Sequence, residues 1–297
     1  MNTYTIIGAS GHTGQIVANT LLDHGHQVRV IGRNAATLEP LVARGAEAFL
    51  GKLDDVDFLT RAFSGADAVY TLLPGDTTAP DMRADQNHLG DAIATAIRTA
   101  KVRAVVNLSS MGAHQPDRTG PVLGLHDQEA RLNQLAGVNV LHLRPTFFME
   151  NLLGNIGVIK GMGVNGSALA AEVAVPLIAT RDIGAVAAQR LLALDFTGKS
   201  VLELLGPRDY TMREVTAVLG AAIGKPDLAY VQFPPAAAIQ GMTSAGFSAD
   251  AAAKMVELQE SMNDGYIAMG VTRGPQNTTP TTIEAFAPIF AAVYYAA

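Results

Sequence analysis

The chain has 297 residues, 48% apolar and only 16% charged, enough for a sizeable core in one large domain or two of ~150 residues each. A formal net charge of −6 provides no basic footprint for nucleic acid, and the absence of cysteine excludes disulfides, thiol nucleophiles and thiolate metal sites. Residues 3–8 read as a core strand rather than a signal peptide and no apolar run reaches ~18 residues, so a cytoplasmic protein with no membrane association is expected.

The first element is the strand ending at Thr5-Ile6-Ile7, which runs into the turn Gly8-Ala9-Ser10-Gly11-His12-Thr13-Gly14. An amphipathic helix follows, with Ile16, Val17, Thr20 and Leu21 on its buried face and Gly25 at its end. This is the pattern of a dinucleotide-binding turn. Gly8 allows the tight turn, Gly11 lets backbone approach a pyrophosphate, and Gly14 lets helix and strand pack closely. The helix N-terminus adds free N–H groups and a positive dipole end, so Ser10, His12 and Thr13 are candidate phosphate contacts.

Further strands are expected at Gln27–Ile31, Ala46–Leu50, Ala68–Leu73, Arg103–Ser109 and Asn139–Leu143. Between the fourth and fifth strands, Met82, Gln86, Leu89, Ile93, Ile97 and Ala100 recur at spacings of three and four, predicting a long helix. Another helix is expected over Asp127–Ala136, stopping at Gly137. Alternating strands and helices predict an α/β fold, a doubly wound parallel sheet of the Rossmann type. Ligands in such sheets bind beyond the carboxyl ends of the strands.

That rule nominates the cofactor contacts. An NAD-preferring fold carries an acid after the second strand, whereas this chain has Gly32-Arg33-Asn34. Arg33 can pair with a 2′-phosphate in bidentate fashion, which favours NADP over NAD; the other reading is a solvated surface charge. Lys52 is either a second positive group near the adenine end or an ordinary surface lysine. Leu72, Leu73 and Pro74 follow the fourth strand and border the ribose. Asn107, Ser109 and Ser110 follow the fifth and approach the nicotinamide.

After residue 150 the regularity weakens. Gly154, Gly157, Gly161, Gly163 and Gly166 punctuate a loop or short helix pair. Asp182 is expected to cap an alanine-rich helix, and Val201–Leu205 to form a strand. Thr211-Met212-Arg213-Glu214 and Thr281-Thr282-Ile283-Glu284 fit capping boxes, and the polar loop Gly270–Pro280 is expected to be exposed. The division expected is a Rossmann domain over 1–150, rejoined by 181–205, and a smaller mixed α/β C-terminal domain from 151–180 and 206–297.

On Gly8-x-x-Gly11-x-x-Gly14, Gly32-Arg33-Asn34, the Ser109-Ser110 pair, His126-x-x-x-x-Arg131 before Gly137, and Leu143-Arg144-Pro145-Thr146-Phe147-Phe148-Met149-Glu150-Asn151, the chain resembles the NmrA-like family of atypical short-chain dehydrogenases. The resemblance extends to Thr279-Pro280-Thr281. It implies NADP binding, with Pro145 among the cofactor contacts, and a small C-terminal substrate domain. The family includes NADPH-dependent quinone and dye reductases, and redox sensors that bind the cofactor without turnover.

Short-chain dehydrogenases carry Tyr-x-x-x-Lys on the helix after the fifth strand, where tyrosine protonates the forming alkoxide. Here that region reads Leu125-His126-Asp127-Gln128-Glu129-Ala130. His126 is the remaining proton donor and, with Ser110, the candidate catalytic pair; alternatively it bonds a ribose hydroxyl or caps the helix. His114 ranks second. Histidines and carboxylates show no metal-ligand spacing, so no metal is expected. Hydride transfer to a quinone demands less of the protein: chiefly an apolar slot over the nicotinamide. Phe147, Phe148, Met149 and Tyr266 are the candidate slot residues, with core packing as their other reading. The leading expectation is an NADPH-dependent oxidoreductase acting on a small conjugated or carbonyl acceptor, quinone or dye. The alternative is an NADP(H)-binding sensor acting through a protein partner. A sugar-nucleotide epimerase-like enzyme ranks lower, because it needs the tyrosine. A homo-oligomer is left open.

Overall fold

A computed structural model describes residues 1–268 and 270–297. Its elements run β1 (Thr3–Ile6), α1 (His12–Asp23), β2 (Gln27–Gly32), α2 (Ala35–Val42), β3 (Glu47–Leu50), α3 (Val56–Phe63), β4 (Ala68–Leu72), α4 (Met82–Thr99), β5 (Ala104–Leu108), α5 (Leu123–Asn133) and β6 (Asn139–Pro145). There follow β7 (Phe147–Phe148), α6 (Ile156–Met162), β8 (Asn165–Ser167), β9 (Val175–Ile178), α7 (Thr180–Ala193) and β10 (Lys199–Leu204). The chain finishes with β11 (Asp209–Tyr210), α8 (Met212–Ala222), β12 (Tyr230–Gln232), α9 (Pro235–Ser244), α10 (Ala249–Asn263) and α11 (Ile283–Ala296).

Among the described residues, seven strands form one parallel sheet in the order β10-β6-β5-β4-β1-β2-β3. Both faces are covered, which is why the strands read as near-continuous apolar runs. Tyr4, Ile6, Val28 and Val30 point to the face packed by Val17 and Leu21 of α1 and Ile183, Ala187 and Leu191 of α7. Ile7, Ile31, Val69 and Val105 point to the other, where Phe58, Leu59 and Phe63 of α3 and Ile93 and Ile97 of α4 lie. The strand order reverses between β1 and β4, and there a parallel sheet opens a crevice at its carboxyl edge.

Two close approaches hold this arrangement. Gly8 sits at φ +68°, and a Cβ on Gly14 would fall 2.2 Å from the Gly8 carbonyl oxygen, so helix and turn meet without a side chain between them. Gly184 does the same between α7 and α1, where an added Cβ would lie 2.7 Å from Ile16 Cβ.

A third core unites the C-terminal half. Met149, Leu152, Leu177, Tyr210, Val215, Leu219, Phe286 and Phe290 are buried together, below the small sheet β11-β9-β7. Thr211 and Glu214 form the expected capping box of α8. Other boundaries moved. The second box does not form as read: Thr282 caps α11 by accepting from Ala285 N, while the Thr281 hydroxyl donates to Asp182. Asp182 is therefore not the cap of α7, which begins at Thr180; it binds the chain entering α11. Helix α5 starts four residues earlier than expected and ends three earlier. The loop Gly270–Pro280 is not wholly exposed, because Asn277 and Thr279 are buried and bond the backbone of Leu205 beside β10. Among the described residues no helix is long and apolar enough to cross a membrane.

Candidate functional site

At the carboxyl edge of the sheet, a cavity of about 350 Å³ opens between the strand ends and α10. Leu72 and Leu73 form its wall after β4, Ser109, Ser110 and Met111 its wall after β5, and Thr146, Phe147 and Phe148 its wall after β6. Helices contribute the rest: Met82 and Gln86 from α4, Leu125 from α5, and Met255, Leu258 and Met262 from α10. Three strand ends converge here because parallel pairing brings all carboxyl ends to one side. Among the described lining residues none has an ionisable carboxylate, imidazole, amine or guanidinium.

Of the expected site residues, Leu72, Leu73, Ser109, Ser110, Phe147 and Phe148 meet at this cavity. Ser10, Gly11 and His12 are exposed on the turn after β1, with Gly8 half-buried beneath them. Gly14 and Thr13 are buried, and the Thr13 hydroxyl accepts from Tyr70 OH at 3.0 Å, so that side chain is committed to the core. Arg33 is exposed beyond β2, near enough to Asp76 to help keep that carboxylate ionised, after the hydrogen bonds from Thr78. Lys52 and Pro74 are exposed.

Five expectations are corrected. His126 does not line the cavity; its Nδ1 meets the Ala113 carbonyl at 2.9 Å and pins the loop after β5. Met149 is fully buried in the C-terminal core. Tyr266 turns outward, donating to Asp117 at 2.6 Å and stacking under Arg118, while its neighbour Ile267 reaches the cavity. Pro145 is buried within β6, where its carbonyl accepts from Met111 N. Asn107 is buried and engaged inside the protein: it accepts from Thr71 at 3.0 Å and donates to His142 Nδ1 at 3.2 Å.

Beneath Ser109 lies a buried ionic unit that sequence reasoning missed. Ser109 Oγ donates to Glu129 Oε1 at 2.5 Å, and Arg144 grips the same carboxylate at 2.9 and 2.6 Å in a two-pronged pair. Burial pushes the Glu129 carboxyl up, but the hydrogen bonds from Arg144 and Ser109 and the Arg144 charge outweigh it and hold it below its ordinary range. The Ser109 proton thus points at an ionised acceptor, and the hydroxyl offers the cavity lone pairs only. His142 donates from Nε2 to Asn133 and accepts from Asn107 at Nδ1; burial brings its pKa down to about 4.

The contributions of α4 and α10 were also missed. One signal was legible: Gln86 is a polar residue on the apolar stripe of α4, and such positions face either a partner or a ligand.

A parallel sheet of this order, with a glycine turn after β1 and a cavity beyond the carboxyl ends of β4 to β6, defines a Rossmann-type protein. The model of the NmrA-like family matches residues 1–287, and the chain belongs to that family. It is 32% identical over 221 residues to (4-alkanoyl-5-oxo-2,5-dihydrofuran-3-yl)methyl phosphate reductase of Streptomyces griseus, covering 74% of each chain. Its fold is similar to that of a triphenylmethane reductase from Citrobacter sp., with TM-score 0.79 and 16% identity over 98% of this chain and 99% of the other. An NADPH-dependent quinone oxidoreductase from Escherichia coli, solved with NADPH, aligns with TM-score 0.73 and 21% identity over 96% and 98%.

Proposed function

We propose that the chain is an NADPH-dependent reductase of a neutral, conjugated acceptor. The observation that carries this reading is the largely apolar cavity beyond the carboxyl ends of β4, β5 and β6, with serines on one wall and aromatic rings on another. Membership of the NmrA-like family and the likeness to the curated reductase above support it.

The chain's residues fit the dinucleotide. The left-handed Gly8 and the close Gly8–Gly14 approach bring backbone to the turn surface, as a pyrophosphate requires. Gly11 caps α1 without a side-chain hydrogen bond, leaving the first-turn N–H groups to a phosphate. Arg33 would take the 2′-phosphate. When bound, the nicotinamide supplies a hydride.

The protein's task is then orientation and dryness. Phe147 and Phe148 present flat apolar surface on which a conjugated ring stacks, and Met255, Leu258 and Met262 exclude water from above. Ser109 accepts a hydrogen bond at Oγ and releases no proton, because Glu129 holds that proton. Ser110 and Thr146 are hydroxyls left to donate. Without a general acid on the wall, acceptors whose reduced oxygen is a stable anion are favoured over simple ketones. The same lack of an acid suits a sensor that binds NADP(H) and signals to a protein partner.

One experiment separates them: NADPH oxidation followed by absorbance over a panel of quinones, dyes and saturated ketones, with cofactor affinity measured by calorimetry. Turnover of quinones or dyes but not ketones is expected. Tight NADPH binding with no turnover on any acceptor would instead establish the sensor.

A further inference from the structure

Two polar side chains in the cavity wall have no partner. Gln86 is 97% buried by virtue of its 3% exposure, and Thr146 is 2% exposed; both line the cavity. Among the described residues, Gln86 Oε1 and Thr146 Oγ1 lack hydrogen-bond partners. An orphaned buried polar atom costs about 1–3 kcal/mol, so an apolar residue of the same shape would stabilise the fold. The room for Gln86 is built: a Cβ on Gly124 of α5 would fall 2.2 Å from Gln86 Oε1, and only glycine leaves that space. The polar lining residues Thr77, Ser109, Ser110 and Asn151 bond neither of these atoms, and the rest of the wall is mainly leucine, methionine and phenylalanine. Gln86 Oε1 is turned against α5, which leaves its amide N–H and the Thr146 hydroxyl to meet what enters the cavity.

We propose that Gln86 and Thr146 are the specificity-determining contacts for the oxygen atoms of a quinone-type acceptor, a role that rests on the reductase reading above. Both side chains donate and accept. That ambivalence matches the chemistry. Two-electron reduction turns the quinone C=O groups into C–OH groups, taking a hydride from the dinucleotide and a proton from water, so the acceptor's oxygens change from hydrogen-bond acceptors to donors. The Gln86 amide N–H and the Thr146 O–H meet the quinone, and the Thr146 oxygen meets the hydroquinone. As negative charge grows on oxygen during hydride arrival, the donor from Gln86 strengthens, which raises kcat as well as affinity. A cationic triphenylmethane dye has no carbonyl oxygen and gains nothing from either group.

The test compares wild type with Gln86→Leu and Thr146→Val on a naphthoquinone and on a triphenylmethane dye, with thermal midpoint and NADPH affinity as controls. Gln86→Leu is expected to lower kcat/KM for the quinone by about 100-fold, in the range seen for loss of one oxyanion donor. It should leave dye reduction within about threefold and leave the thermal midpoint unchanged or higher. Thr146→Val should act in the same direction by about tenfold. Quinone kinetics unaltered by Gln86→Leu, or equal losses on quinone and dye, would overturn the proposal. So would a lower midpoint, which marks a structural role. A wild type that reduces dye but not quinone keeps the reductase reading and ends this one. Should the wild type turn over neither, the reductase reading fails, and calorimetry of the quinone with the NADP⁺ complex decides. Binding weakened at least about tenfold by Gln86→Leu supports the contact, while equal binding or none refutes it.

Discussion

Glu129 shows how one residue ties site to scaffold. It receives Ser109 from the cavity side and Arg144 from β6, and the pair's side chains are only 6% and 13% exposed. Removing one partner strands the other charge away from water. Glu129→Ala should therefore cost about 3–5 kcal/mol, read by urea unfolding, whereas a Glu129→Leu/Arg144→Met double replacement should cost much less. His142 sets the pH response. Its ring is neutral in the fold because burial opposes the charge, and protonated Nδ1 would face the Asn107 amide donor. The unfolded chain takes up that proton first, so this stability is present above pH 6.5 and is lost as pH falls towards about 4. The gap corresponds to about 3 kcal/mol, and His142→Gln should flatten that part of an equilibrium-unfolding profile. Arg33 is the proposed contact for the 2′-phosphate. Arg33→Ala should weaken NADPH roughly tenfold and leave NADH nearly unchanged in titration calorimetry; equal losses would dismiss the 2′-phosphate role.

Helices and strands in the first half were readable because burial on two sheet faces imposes a simple pattern. Apolar runs gave β1 to β6, and the stripe from Met82 to Ile97 gave α4. Ends were less readable, since a cap depends on what its side chain meets. Asp182 looked like the cap of α7 but is held by Thr281, 99 residues away. The crossing of α1 and α7 rests on Gly184, whose role no local pattern reveals. Gly184→Ala would push a methyl group against Ile16 and is expected to destabilise by about 1–3 kcal/mol in urea unfolding. The same measurement on Gly25→Ala is a poor control, since Gly25 has φ +74°; Gly75, with open space around it, is the better one.

At the scale of the molecule, the sheet supplies a floor of strand ends and α10 a roof, and the cavity between them has no charged side chain among its described lining residues. The curated relative named above is a reductase of a phosphate ester. No lysine or arginine is among the described lining residues here, so a phosphate would enter without a counter-charge. A quinone bearing a phosphate group should accordingly show a kcat/KM at least about tenfold below its neutral alcohol, in steady-state assays. Equal values would mean that a cation outside the cavity reaches the ligand. The amino-acid sequence by itself determined the sheet, the glycine turn, the exposed Arg33 and the strand-end serines, because alternation and turn chemistry are local. Tertiary structure decided that His126, Met149 and Tyr266 face away from the cavity, and that Gln86, Thr146 and α10 face it. Those assignments follow from which elements happen to pack together, and contacts between residues distant in sequence leave no periodic trace in the chain.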